Sequence, residues 1–137
     1  FPDYQAIIER LELTDYVRWL GFIDQEHKPI IYREANTFVF PSMAEGFGLP
    51  PLEAMACGTP VVTTNATSLP EVVGEAAFAV DPTNERAMAG AIISTIVQEN
   101  LAAELKENGL ERAKTFKWEN TAHETLLIYD KVLSSLK

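Results

Sequence analysis

The stretch from Pro41 to Gly58 constrains the chain more than any other, because an apolar strand, a glycine loop and a helix start follow one another in eighteen residues. Thr37-Phe38-Val39-Phe40 is a β-branched and aromatic run, and Pro41, which has no N–H for a sheet ladder, ends it. At Gly46 and Gly48 the backbone can approach a ligand with no Cβ in the way. Pro50 and Pro51 suit a first helical turn, where an N–H would lack a partner anyway, and Gly58 stands where a helix stops. The N–H groups of Gly46 to Leu49 and the positive end of the helix dipole therefore point at the loop, which makes it an anion site.

Two carboxylates flank this site. Glu45 precedes the glycines and Glu53 lies one turn into the helix. An ionised carboxylate accepts two hydrogen bonds at once and suits a vicinal diol such as a ribose edge or a sugar ring. On spacing alone, an equally good account is that Glu53 complements the helix dipole and Glu45 is a solvated loop acid.

Around this junction strands and helices alternate. Pro2 to Leu13 has helical spacing at Tyr4, Ile7, Ile8 and Leu11, and Val17 to Phe22 reads as a strand. A short helix through Ile30, Ile31, Tyr32 and Ala35 leads to Thr37–Phe40. Beyond the central helix come a third strand at Thr59–Thr63, a single helical turn at Leu69–Val73 and a fourth strand at Ala77–Val80. Short apolar strands separated by helices predict a parallel sheet covered on both faces, an α/β Rossmann-like fold with a helical C-terminal tail. Ligands of such sheets bind beyond the carboxyl ends of the strands, and the glycine loop leaves one of those ends. From Asn84 onward three apolar faces recur at helical spacing: Met88, Ala91, Ile92, Thr95 and Ile96; then Leu101, Leu105 and Leu110; then Trp118, Ala122, Leu126, Tyr129, Leu133 and Leu136. The last reads as core packing rather than a cofactor stripe.

A chain of 137 residues is one domain, and 20 acidic against 11 basic residues, a net charge of −9, leave no basic footprint for nucleic acid. No apolar run reaches spanning length, and no series of charged, apolar and small residues marks a signal peptide. The lone Cys57 reads as packing in a reducing, cytoplasmic setting, and His27 and His123 as surface residues without metal-ligand spacing. There is no Gly-x-Ser-x-Gly elbow, Walker loop or Asp-x-Asp pair.

Glu45-Gly-Phe-Gly-Leu-Pro-Pro-Leu-Glu53, continuing as Ala-Met-Ala-Cys-Gly-Thr-Pro-Val-Val, resembles the Glu-x7-Glu signature of the retaining GT-B glycosyltransferases of group 1, family 4 type. Trp19 to Ile23, Ser68 to Gly74, Val80-Asp81-Pro82 and Phe116-Lys117-Trp118-Glu119 are similar to that family in the same order. The resemblance implies the nucleotide-sugar-binding C-terminal domain of a two-domain enzyme. Its first βαβ unit and its acceptor-binding N-terminal domain are expected before Phe1, which is no initiator residue. The segment 116–137 is expected to be a closing helix that reaches towards that domain, or self-associates or frays where uncovered.

Position by position, the resemblance makes Glu45 the catalytic carboxylate that holds donor-sugar hydroxyls. Gly46, Phe47, Gly48 and Leu49 present N–H groups to sugar and phosphate, and Glu53 accepts the ribose hydroxyls. The base falls to the backbone near Ile23 and to Tyr32 and Lys28, although Tyr32 also reads as a core tyrosine and Lys28 as a surface lysine. The implied donor is a UDP- or GDP-sugar, used without metal or other cofactor and with retention of configuration, in polysaccharide biosynthesis in the cytoplasm or at the inner membrane surface. Two departures stand out. The family's Arg and Lys that grip the diphosphate match nothing here, and Gln25-Glu26-His27-Lys28-Pro29 replaces an acidic helix start. The alternatives are an inactive nucleotide-sugar-binding or interaction module of the same fold, and another GT-B enzyme such as a phosphorylase or epimerase.

Overall fold

The structure is a computed structural model that describes residues 3–135. Phe1, Pro2 and Leu136, named above in the first helix and the last stripe, lie outside the described residues. Among these residues seven helices and three strands follow in the order α1 (Tyr4–Arg10), α2 (Lys28–Glu34), β1 (Phe38–Phe40), α3 (Leu49–Ala56), β2 (Val61–Thr64), α4 (Leu69–Val73), β3 (Phe78–Val80), α5 (Glu85–Val97), α6 (Glu99–Lys114) and α7 (Trp118–Ser135). The sheet is parallel throughout, in the order β1-β2-β3.

The short strands carry apolar residues on both faces because helices cover both. Val61 of β2 looks into one layer, with Ala54 and Met55 of α3, Val72 and Val73 of α4, and Ala76. The next residue, Val62, looks into the other, with Val80 and Ala91 of α5. On the first face α6 lies close on α3, since a Cβ on Gly109 would come within 3.2 Å of Met55 Cγ. Helix α3 ends in a Schellman motif: Gly58, at φ +75°, donates to Met55 O at 2.9 Å and Thr59 donates to Ala54 O at 3.0 Å.

Two expectations fail. Val17–Phe22 forms no strand, because among the described residues nothing pairs with it, and its apolar side chains stand in solvent, Phe22 being 91% exposed. The α7 stripe is not core either: the helix has no buried residue, since nothing among the described residues covers Trp118, Leu126, Tyr129 or Leu133. Of the other two helical faces, Ala91, Thr95 and Leu105 are buried as expected, whereas Ile96 is exposed. Among the described residues, no helix is long and apolar enough to cross a membrane.

Met55 is fully buried between α3, β2 and α6, so Met55→Ala should destabilise the domain by about 2–5 kcal/mol, the range for large-to-alanine changes in packed cores. Urea unfolding measures this as a lowered midpoint with an unchanged slope.

Candidate functional site

The loop between β1 and α3 leaves the carboxyl end of the sheet. Gly48 is the N-cap of α3, at φ +113°, and Leu49 is its first residue, followed by Pro50 and Pro51. The two prolines have no N–H, so the donors at this helix start are those of Gly48 and Leu49, joined by Gly46 and Phe47 from the loop. Among the described residues none of these four N–H groups donates to another group of the chain. They form a run of unused donors at the positive end of a helix. At Gly48 the need for glycine is internal: its φ is positive and a Cβ there would lie 2.8 Å from Leu69 Cδ2, whereas a Cβ on Gly46 would meet open space.

Glu45 sits at the edge of this run. Ser42 Oγ donates to its Oε1 at 3.1 Å, its own N–H donates to Thr67 Oγ1 at 3.0 Å, and its carbonyl accepts from Ser68 Oγ at 2.9 Å. The loop is also held from the C-terminal side. Phe47 meets the ring of Phe116 edge-on at 5.8 Å between centroids, and the Arg112 guanidinium lies 4.9 Å over the far partner, Phe116. Arg112 donates in turn to the carbonyls of Glu71 and Val72 that end α4.

Glu53 lies four residues into α3 from Leu49, about 6 Å along the axis at the usual helical rise. Its Oε2 accepts the Tyr32 hydroxyl at 3.0 Å. Glu53, Tyr32 and Lys28 line one hollow of about 220 Å³ together with Gln25, Pro29 and Cys57. Ile23 lies in an adjacent hollow of about 230 Å³, shared again with Lys28 and Tyr32. Tyr32 and Lys28 thus form the wall between the two spaces, and Tyr32 joins both of the earlier accounts of it: it lines the hollows and also packs edge-on against Phe38 of β1 at 5.2 Å. Pro29 does not break the local helix, because it takes the second position of α2.

Burial, the hydrogen bond to Glu53 and the nearby charges of Glu53 and Cys57, in that order, push the Tyr32 phenol from its ordinary 10 up to about 12. At neutral pH Tyr32 is therefore a hydrogen-bond donor, which leaves Glu53 Oε1 and the remaining lone pairs of Oε2 for another ligand. Elsewhere, Asp81 is held below the usual carboxylate range by the hydroxyl and N–H of Thr83. Among the described residues no three His, Cys, Asp or Glu side chains are grouped to hold a metal ion.

Sequence reasoning missed Thr67, Ser68 and Ser42 as residues that hold the site. A serine just before a helix signals a cap, and here that signal misleads: Ser68 makes no cap bond to α4 and turns its hydroxyl on the loop instead.

A parallel α/β domain with a run of unused N–H groups at a strand end and a carboxylate along the same helix belongs to the class of α/β sheets whose ligand crevice lies outside the carboxyl ends of the strands. The particular family follows from the sequence: the profile of the glycosyl transferases group 1 matches residues 3–112, and the chain belongs to that family. It is 43% identical over 123 residues to the O-antigen chain mannosyltransferase B of Escherichia coli, covering 90% of this chain and 32% of that protein. It is 32% identical over 134 residues to the MMP alpha-(1->4)-mannosyltransferase of Mycolicibacterium hassiacum, covering 95% and 33%. Among solved structures, a sucrose-phosphate synthase from Thermosynechococcus elongatus superposes with a TM-score of 0.86 at 33% identity, over 96% of this chain and 34% of that one. The C-terminal domain of a glycosyl transferase group 1 family protein from Francisella tularensis gives 0.72 at 31% identity, over 81% and 58%. The fold is that of the C-terminal GT-B domain. The chain spans about a third of the length of these two mannosyltransferases.

The Tyr32–Glu53 bond has a pH signature. The folded state favours the neutral phenol, so the stabilisation this gives is fully present below pH 10 and is lost as the pH rises towards about 12. Absorbance titration at the tyrosinate band should show a component near pH 12 that Tyr32→Phe removes.

Proposed function

We propose that this domain binds the nucleoside-diphosphate-sugar donor of a retaining glycosyltransferase, of hexosyl and in particular mannosyl type. The observation that carries the reading is the run of unused N–H groups from Gly46 to Leu49 with Glu53 along the same helix. Donors and carboxylate are spaced along one axis as phosphate and ribose are along a nucleotide. The family membership and the mannosyltransferase names of several relatives support the activity and the sugar.

In this reading Glu53 accepts the ribose hydroxyls and the hollows beside Tyr32, Lys28 and Ile23 take the base, uracil or guanine. Glu45 holds the sugar hydroxyls beside the reacting carbon, and the N–H groups of the loop bind sugar and phosphate. When the bond from the anomeric carbon to the diphosphate breaks, its electron pair leaves with the phosphate, and the loop dipoles stabilise that charge without requiring a metal. The acceptor hydroxyl then forms the new bond from the same face and passes its proton to the departing phosphate oxygen. Acceptor recognition, any cytoplasmic or membrane-surface location and the grip of a basic pair on the diphosphate are assigned to chain beyond these residues. Helix α7, with its uncovered stripe, is assigned to contact with that further domain.

A panel of UDP, GDP, ADP and CMP titrated by amide NMR tests the donor site. One nucleotide should give saturable shifts at Gly46 to Leu49, and Glu53→Ala should weaken it by about 1–3 kcal/mol, the usual loss when hydrogen bonds to a charged group are unmade. Unchanged affinity in that variant would assign Glu53 to helix electrostatics. In the complete protein Glu45→Ala should lower turnover far more than nucleotide affinity, whereas full turnover without Glu45 would give the loop another role, and no turnover in the unaltered complete protein would favour an interaction module.

A further inference from the structure

Three consecutive residues, the last two of the β2–α4 connection and the first of α4, close on the donor loop. Thr67 stands at φ +48°, a left-handed conformation that a β-branched side chain rarely takes. Its Oγ1 accepts the Glu45 N–H at 3.0 Å. Ser68 Oγ lies 2.9 Å from both Glu45 O and Phe47 O, and its single proton is shared between them. Leu69 fills the space in which Gly48 would carry a Cβ.

Neither hydroxyl serves its own helix. Ser68 is the N-cap of α4 but makes no side-chain cap bond, because the first-turn amides of Glu71 and Val72 already donate to the Ser68 carbonyl at 3.1 Å. Thr67 is exposed, so no core packing holds it in its unfavourable conformation. Strain of this kind persists only where surrounding structure over-determines it, and it gathers at functional sites. What the strain accompanies here is a fixed main chain on both sides of the Glu45 carboxylate.

We propose that Thr67 and Ser68 are positioning residues for sugar transfer: they hold the backbone of Glu45 and Phe47 so that the Glu45 carboxylate meets the donor sugar, at the expense of a strained Thr67. This rests on the assignment of Glu45 to the donor sugar given above. Glu53 lies about one turn along α3 from this clamp and its hollow runs on to Cys57 past the helix end, so the clamp bears on the sugar and phosphate end of the donor and affects turnover far more than nucleotide affinity.

Thr67→Gly separates the two contributions. Glycine accepts a positive φ without strain but removes the acceptor for the Glu45 N–H. In the complete protein the melting temperature should be retained while kcat falls about tenfold to a hundredfold, the scale of an ångström-sized misplacement. The dissociation constant of the bare nucleoside diphosphate should change much less than kcat. Thr67→Ser keeps the hydroxyl and should recover most of the turnover. Ser68→Ala, which suits the helical backbone at 68, should act in the same direction as Thr67→Gly. Full kcat in Thr67→Gly and Ser68→Ala, with Glu45→Ala inactive, would overturn the clamp and leave the role of Glu45 standing. A fall in kcat matched by a fall in melting temperature, or one that Thr67→Ser fails to recover, would also overturn it. Full kcat in Glu45→Ala would instead remove the reading on which the clamp rests.

Discussion

The site depends on three buried threonine hydroxyls that fix the chain running beside β2. Thr59, Thr63 and Thr64 are nearly or wholly inaccessible, and each donates across to a carbonyl of the neighbouring segment: Tyr32 O at 2.5 Å, Phe40 O at 3.0 Å and Ser42 O at 2.5 Å. A parallel pair of three or four residues has few ladder bonds, and β1 ends at Phe40. The hydroxyls extend the attachment past both ends of that ladder. Thr59 ties the last turn of α2 and Thr64 ties the first step of the glycine loop, so the tyrosine beside the hollows and the serine beside Glu45 are both anchored to one central strand. A buried hydroxyl without a partner would be destabilising, and these have partners only while β1, α2 and the loop keep their places.

From that anchor the loop is held on its other sides by elements distant in sequence. The β2–α4 connection grips its main chain, and Phe116, stacked under Arg112, meets Phe47. Arg112 is itself fixed by the carbonyl end of α4. The end of α6 and the segment that leads into α7 are therefore in contact with the loop through Phe116 and Phe47.

How much of this was legible in the sequence follows the range of the interactions. The central helix, its prolines, its terminal Gly58 and the turn at Leu69–Val73 are decided by local chemistry, and they appear where the residues place them. Val17–Phe22 has strand composition, but a strand exists only with a partner, and composition does not reveal whether one is present. The α7 stripe fails for the same reason: periodicity marks an apolar face but not what covers it. Glu53 and Tyr32 are 21 residues apart, and Thr67 and Glu45 22 apart, so neither bond leaves a mark on any one stretch of sequence. The motif pointed to Glu45 and Glu53 as chemical groups and was silent on what aims them.

The two carboxylates are aimed in different ways, and the difference bears on what each is suited to do. Glu53 is placed by a rigid helix and steered by one phenolic hydroxyl at the wall of an open hollow. Such a group can turn to meet a diol and tolerate some variation in it, which suits affinity. Glu45 lies on a loop, where a side chain would ordinarily be mobile, yet its N–H, its carbonyl and its carboxylate each have a partner from a different residue. Three fixed points on one residue restrict orientation far more than they add to stability, and orientation matters most where bonds change. The strained Thr67 is consistent with that division: the fold accepts an unfavourable backbone beside Glu45 and nothing comparable beside Glu53.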